Sequence, residues 1–174
     1  MKRYVIDLDM SKCVSCGACT VACMDQNDFV VQDGRRPRRN IFDMEQLEDG
    51  KVCFHHLSLG CMHCTDAPCI VGCPSACLSK DPETGMTIYD TTNCIGCHSC
   101  AMACPYGVPA FGADGKMTKC DGCYLRIQHG MLPACVKACP FGALQLVDLD
   151  DPQQAIPAQH SLRQSSLELL KAQV

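Results

Sequence analysis

The sequence lacks tryptophan and contains few other aromatic residues, so it cannot build a large apolar core. Aromatic side chains make up 5% of the 174 residues, and the hydrophobic fraction of 47% includes 18 cysteines. Small folds with so little large apolar material are usually held together by disulfides or metals. We therefore expect covalent or inorganic cross-links at the centre of this molecule.

Long apolar segments and a strong net charge are also missing. No stretch approaches the roughly 18 apolar residues that a membrane span needs, and residues 1–7 do not resemble a secretory signal peptide. The net charge of −4 offers no basic face for nucleic acid. The sequence thus predicts a cytoplasmic protein with neither a membrane span nor a nucleic-acid partner. A periplasmic or peripheral membrane location through a partner is the alternative.

Cysteine is the residue present in excess, and its spacing distinguishes between two explanations. An even number of cysteines in a small chain is typical of a secreted disulfide scaffold. Here, however, most neighbouring cysteines are separated by only two or three residues, as ligands that converge on one metal centre require. This spacing favours thiolates that hold metal, assembled in a reducing compartment, over disulfides.

Sixteen of the cysteines form four quartets, which make an internal repeat. Quartets one and three have the C-x2-C-x2-C-x3-C spacing of bacterial ferredoxins, and quartets two and four carry insertions after the second cysteine. One C-x2-C pair would also suit zinc or a redox dithiol, but structural zinc sites rarely show the full run. Four quartets therefore predict four [4Fe–4S] clusters. In chain order the quartets are Cys13, Cys16, Cys19 and Cys23; Cys61, Cys64, Cys69 and Cys73; Cys94, Cys97, Cys100 and Cys104; and Cys120, Cys123, Cys135 and Cys139.

Short segments between the quartets predict an α+β fold with long loops. Strands are predicted at residues 4–8, 52–59, 86–89 and 143–147, and short helical turns after Cys19 and Cys100. The first and last strands of two-cluster ferredoxins pair, and here the terminal segments enclose all the others. We therefore predict two nested ferredoxin-like modules, an outer one of residues 1–50 and 110–150 and an inner one of residues 51–109. Residues 151–174 form a tail with a short helix capped by Ser161, a candidate segment for partner docking or self-association.

The motifs around the cysteines resemble the four-cluster iron–sulfur subunits of the dimethyl sulfoxide reductase type, which accompany molybdenum and tungsten oxidoreductases. The matching stretches are residues 61–69, 94–97, 104–107, 119–123 and 130–140. The resemblance implies the same nested pairing and four ligand sets. Set A is Cys13, Cys16, Cys19 and Cys139; set B is Cys120, Cys123, Cys135 and Cys23; set C is Cys61, Cys64, Cys69 and Cys104; and set D is Cys94, Cys97, Cys100 and Cys73.

Several residues outside the quartets have two interpretations. Lys12 and Lys119 each precede the first cysteine of a quartet, where a lysine either raises the potential of a cluster or is simply solvated. His63 and His98 lie within cluster loops and are interpreted as packing or tuning groups, because each quartet is already complete. The basic segment 34–39 is either a solvated turn or a surface for an acidic partner. The two remaining cysteines, Cys53 and Cys77, are predicted to be buried thiols.

Complete ligation of every iron predicts electron relay without catalysis. The resemblance implies an electron-transfer subunit between a molybdenum or tungsten pterin catalytic subunit and a second redox partner. A free polyferredoxin that shuttles electrons between enzymes is the alternative from another class. An electron-input subunit of a hydrogenase or of a flavin-containing complex is a third interpretation.

Overall fold

The chain consists of short helices interspersed with strands, most of which follow one another in pairs. The computed structural model describes residues 2–30, 36–154 and 160–165. The mixture of elements agrees with the predicted α+β class. In chain order the elements are β1 (Tyr4–Leu8), α1 (Ala18–Gln26), β2 (Asn40–Glu48), β3 (Lys51–Leu59), α2 (Pro68–Val71), β4 (Leu78–Lys80), β5 (Thr87–Tyr89), α3 (Ser99–Ala103), β6 (Ala110–Phe111), β7 (Met117–Thr118), α4 (Tyr124–Gln128), α5 (Ala134–Lys137), β8 (Leu144–Asp148) and a 3₁₀ helix (Pro152–Gln154).

The strands form antiparallel ribbons of two strands each, and one ribbon joins the two ends of the chain. The ribbons are β1–β8, β2–β3, β4–β5 and β6–β7. In the first of them Tyr4 lies opposite Asp148 and Leu8 opposite Leu144. The predicted pairing of the first and last strands is therefore confirmed, while the division into an outer and an inner module stays a prediction. Within the three described ranges, no helix is long and apolar enough to cross a membrane.

The predicted strands correspond to β1, β3, β5 and β8, and the predicted helical turns correspond to α1 and α3. The ribbon partner β2 was not predicted. It pairs with β3 from Asn40 opposite Leu59 to Glu48 opposite Lys51. The turn between them is Asp49-Gly50, with φ of 50° and 75°. Asp-Gly is a preferred two-residue hairpin turn because both residues take positive φ, so this dipeptide was the signal available in the sequence.

Cysteine side chains are part of the buried core. One core cluster lies against β1 and β8 and contains Ile6, Leu8, Met86, Ala143 and Leu144 together with Cys19 and Cys135. A second cluster contains Ala67, Leu78 and Met117 together with Cys69 and Cys100. The apolar part of each cluster is small, as the composition predicts. The core therefore serves to hold cysteine-bearing loops in place.

The described part of the C-terminal tail packs on the protein itself. Ser161 is fully buried, and its hydroxyl donates a hydrogen bond to the carboxylate of Asp7 in β1. The same hydroxyl accepts a bond from the backbone N–H of Gln164 at 3.1 Å, which confirms the predicted helix cap. Arg163 donates to the carbonyl of Met62, beside Cys61. The sequence predicts this helix up to Lys171, and the part of that prediction beyond residue 165 lies outside the described residues.

Candidate metal centres

Three cavities are lined by cysteines from distant parts of the chain. Each cavity combines three cysteines of one quartet with one cysteine of another, in the grouping that the resemblance implies for sets A, B and D. The lining cysteines are Cys13, Cys16, Cys19 and Cys139 in the first, Cys23, Cys120, Cys123 and Cys135 in the second, and Cys73, Cys94, Cys97 and Cys100 in the third, which Cys77 from outside the quartets also lines.

The other four predicted ligands are electrostatic neighbours. Burial raises the pKa of the Cys69 thiol, Lys119 opposes that rise, and the charges of Cys104 and Cys64 add to it. Burial also raises the pKa of Cys61 to about 11, with a further contribution from Cys69. Cys69 therefore lies within range of the charges of Cys61, Cys64 and Cys104, while Cys61 also lies near Cys120 of set B.

The arrangement around each cavity suits a cluster and not a single ion. Among the residues that the structure describes, no three His, Cys, Asp or Glu side chains converge closely enough to hold one metal ion. Four thiolates spread around a cavity are instead the donor set that a cubane requires, one for each iron. The cysteines present therefore fit a [4Fe–4S] group.

Backbone N–H groups point at several of the sulfurs. The donors lie 3.4 to 3.5 Å from sulfur and come from the loops that carry the cysteines or from adjacent strands. Hydrogen bonds of this kind favour the thiolate that a metal ligand must become. The pairs are His63 to Cys61, Cys77 to Cys73, Met117 to Cys94, and Gly122 to Cys120.

Burial opposes ionisation of the same cysteines when no metal is bound. It raises the pKa of Cys23 to about 11 and the pKa of Cys123 to about 12. These thiols are therefore protonated at neutral pH in the cluster-free chain. Binding of a cluster must release their protons, so the energy of metal ligation also sustains the fold around the cavities.

Comparison with known proteins agrees with this geometry. A family model described as a 4Fe-4S dicluster domain matches residues 52–149. The chain belongs to this family. Its cofactors are accordingly [4Fe–4S] clusters, and the resemblance inferred from the motifs is confirmed.

Relatives of this dicluster-domain chain are named as parts of reductases. The probable anaerobic dimethyl sulfoxide reductase chain YnfG of Escherichia coli (strain K12) is 38% identical over 158 residues, which cover 87% of this chain and 77% of the relative. The thiosulfate reductase electron transfer subunit PhsB of Salmonella typhi is 37% identical over 153 residues, covering 87% and 79%. The arsenate respiratory reductase iron-sulfur subunit ArrB of Shewanella sp. (strain ANA-3) is 31% identical over 204 residues, covering 88% and 85%.

The two lysines that precede a cysteine lie in opposite environments. The side chain of Lys12 is 49% exposed and forms an ion pair with Asp9 at 3.0 Å. Lys119 is 1% exposed, and its ammonium donates to the carbonyls of Thr87 and Cys120 and to the sulfur of Cys61. Lys12 is thus half-exposed at the edge of the first cavity, whereas Lys119 is buried against a predicted ligand of set C.

The two histidines also differ. His98 is exposed at the start of α3, lines the third cavity, and stacks on Phe111 with ring centroids 3.7 Å apart. His63 is 2% exposed, and its Nε2 lies 3.8 Å from the sulfur of Cys120. Burial and the positive charge of Lys119 lower the pKa of His63 well below its usual range, so its ring is neutral.

The basic segment 34–39 is only partly a solvated turn. Residues 34 and 35 lie outside the described residues, and Arg36 is exposed. Arg38 forms an ion pair with Asp121 at 3.2 Å. Arg39 is 2% exposed and donates to the carbonyl of Ser58 at 2.8 Å. The expectation of a solvated turn or a docking surface is therefore wrong for Arg38 and Arg39, which are used inside the molecule.

Sequence reasoning missed the residues that link Arg39 to a cysteine. The hydroxyl of Ser58 lies 3.2 Å from the sulfur of Cys19 and also accepts from Arg39. Gly60 provides the space, because a Cβ there would lie 2.9 Å from the guanidinium of Arg39. A lone glycine among ordinary residues is a weak signal, and the run of arginines around Arg39 suggests solvent instead.

The two cysteines outside the quartets differ in burial. Cys77 is 6% exposed, as predicted, and its backbone N–H donates to the sulfur of Cys73. Cys53 lies in β3 and is only partly buried. The prediction of a buried thiol at Cys53 is therefore wrong, because this end of β3 is open to solvent, with its neighbours Val52 and Phe54 each 59% exposed.

Proposed function

We propose that this chain is a non-catalytic electron-transfer subunit that carries four [4Fe–4S] clusters. Its partners are a catalytic subunit with a molybdenum or tungsten pterin and a second redox subunit or carrier. The observation that carries the proposal is the grouping of distant cysteines around shared cavities. The names of the relatives, among them a thiosulfate reductase electron transfer subunit and an arsenate respiratory reductase iron-sulfur subunit, support the partner class.

The proposed ligand sets are A, B, C and D as defined above. Sets A and B exchange Cys139 and Cys23 between quartets one and four, and sets C and D exchange Cys104 and Cys73 between quartets two and three. This exchange supports nesting of an inner module, residues 51–109, within an outer module of residues 1–50 and 110–150. The antiparallel ribbon β1–β8, which closes the outer module, supports it further.

The residues of the chain bind and shield the clusters. When bound, a [4Fe–4S] cluster accepts and releases one electron at a time. Four cysteines serve each cluster, so no iron is left open to a substrate. The backbone N–H groups directed at Cys61, Cys73, Cys94 and Cys120 stabilise negative charge on sulfur. Such a chain relays electrons, and the chemistry of the substrate belongs to its partner.

Iron analysis of anaerobically purified protein tests the number of clusters. We expect about sixteen iron atoms per chain, since each [4Fe–4S] cluster contains four. Cys139→Ala removes the ligand of set A that is distant in sequence from the other three, and should lower the iron content by about four atoms per chain. Cys53→Ala is the matched control and should leave the count unchanged. About twelve iron atoms in the unaltered protein would show that one set is wrong.

Size-exclusion chromatography of native extract tests the subunit role. The chain should elute in a larger assembly that also contains molybdenum or tungsten. A free species near 18.9 kDa would contradict the subunit role and favour a soluble polyferredoxin. Flavin or nickel in the co-eluting protein would favour the hydrogenase or flavin-linked alternative. If the chain is a subunit, we expect its complex in the cytoplasm or attached to a membrane through the partner.

A further inference from the structure

The ammonium group of Lys119 bridges two proposed ligand sets. Lys119 directly precedes Cys120 of set B, yet its Nζ lies 3.9 Å from the sulfur of Cys61 of set C, 58 positions away. The other two acceptors are the carbonyls of Thr87 and Cys120. An ammonium has three hydrogens to donate, and these three acceptors satisfy all of them.

His63 makes the opposite connection. It lies in the loop of set C, two residues after Cys61, and its Nε2 is 3.8 Å from the sulfur of Cys120 of set B. The backbone N–H of Thr87 donates to its Nδ1 at 2.9 Å. Nδ1 is therefore the acceptor, and the neutral ring carries its proton on Nε2, directed at Cys120.

One residue of β5 holds both connecting side chains. Thr87 has no exposed surface; its carbonyl accepts from Lys119 and its N–H donates to His63. Each side chain thus comes from the loop of one set and reaches a sulfur of the other. We call Lys119, His63 and Thr87 the junction.

The junction places positive charge and a hydrogen-bond donor in a dry environment. A buried charge is costly unless an opposite charge or several hydrogen bonds compensate it. Among the described residues no carboxylate forms an ion pair with Lys119. The sulfur of Cys61 would be its anionic partner once a cluster holds that cysteine as a thiolate. Reduction adds negative charge to a cluster, and a nearby cation or N–H donor stabilises that charge. Each of the two groups therefore raises the reduction potential of the cluster.

We propose that Lys119 and His63 are positioning residues that raise the potentials of two clusters, those of sets B and C, above the potentials that the same ligands would otherwise give. Because of these higher potentials, an electron resides preferentially on the clusters of sets B and C, where the outer and inner modules meet. This inference rests on the proposed ligand sets. It predicts a selective effect on two clusters out of four.

Lys119→Met in the cluster-loaded protein tests this selectivity. We expect two of the four midpoint potentials to fall in a redox titration followed by electron paramagnetic resonance, while the other two stay in place. At fixed potential, the ratio of reduced to oxidised cluster should fall at least tenfold for the affected pair, which is about 59 mV for a one-electron couple. Lys119→Arg keeps the charge and should restore most of the shift.

Lys51→Met is the matched control, because it removes the charge of an exposed lysine in the β2–β3 ribbon. It should change every ratio less than twofold. Equal shifts of all four potentials in Lys119→Met, or no shift at all, would overturn the inference. Fewer than about sixteen iron atoms in the unaltered protein would contradict the ligand sets instead.

His63→Leu provides a second test that keeps Lys119. It removes the N–H directed at Cys120, so the potential of the set B cluster should fall, by a smaller amount than in Lys119→Met. If Lys119→Met loses iron on purification, this variant decides the question. Unchanged potentials in His63→Leu with full iron content would then overturn the inference.

Discussion

The buried junction and the exposed β2–β3 ribbon reverse the usual distribution of polar and apolar side chains. Inside the molecule, Lys119 and His63 are 1% and 2% exposed. On the ribbon, Leu47 is 71% exposed, and Val52 and Phe54 are each 59% exposed. The interior of this chain therefore contains a charged side chain, Lys119, beside its apolar ones.

The difference follows from what each region is built around. The interior surrounds sulfur and carbonyl acceptors, so that a lysine there finds three partners. The ribbon is held by pairing along nine positions and by the Asp49-Gly50 turn. Its stability therefore depends little on burial of apolar side chains, whereas the stability of the interior depends on the metal ligands.

Removal of the clusters should have the largest effect and should separate the two regions. An anaerobic iron chelator with reductant should abolish the packing of β1 against β8, because the apolar part of that core is small and the buried thiols need the metal. Hydrogen exchange of the amides in Tyr4–Leu8 and Leu144–Asp148 should become fast. Retained protection of these amides in the iron-free chain would contradict a core that depends on the clusters.

The same substitution, leucine to alanine, can be made in both regions and its effect on stability compared. Leu8 is 2% exposed in β1, and Leu47 is 71% exposed in β2. Leu8→Ala should destabilise the loaded protein by about 2–5 kcal/mol, the usual range for a buried leucine. Leu47→Ala should change stability by about 0.5 kcal/mol or less. Anaerobic urea unfolding, followed by loss of the visible absorption of the clusters, measures both, and equal midpoints would refute the comparison.

Glycine substitution extends the comparison to the backbone and should have the smallest effect of the three. Gly122 and Gly142 both have positive φ, of 73° and 61°. A Cβ at Gly122 would lie 2.5 Å from the sulfur of Met86, whereas a Cβ at Gly142 meets nothing within 4 Å. Gly122→Ala should therefore cost about 1–3 kcal/mol more than Gly142→Ala, since only the former overpacks the core. The same urea assay checks this difference.

The quartets and the ends of the fold could be predicted because they depend on short-range geometry. Cysteines three residues apart must lie in one loop, since consecutive Cα atoms are only about 3.8 Å apart. The β-branched and aromatic content of short segments likewise indicated β1, β3, β5 and β8. The strand β2 was missed although its Asp49-Gly50 turn was visible, because its exposed face carries apolar residues that obscure the alternation.

The environment of each charged residue could not be predicted in this way. Lys12 and Lys119 occupy the same position before a cysteine, yet Lys12 is half-exposed and paired with Asp9, whereas Lys119 is buried against Cys61. Arg39 looks like part of a basic loop, yet it is buried beside Ser58. These outcomes depend on contacts across 19 to 58 positions, which are formed only when the loops pack together.

The spacing of sixteen cysteines was therefore enough to predict the type of cofactor, because neighbouring cysteines must share a loop. The four ligand sets were implied by the resemblance to a known family. Packing alone set the burial of Lys119 and the crossing of His63 towards Cys120. Burial removes water from a charge, and that loss of solvent makes a lysine near sulfur act on a cluster.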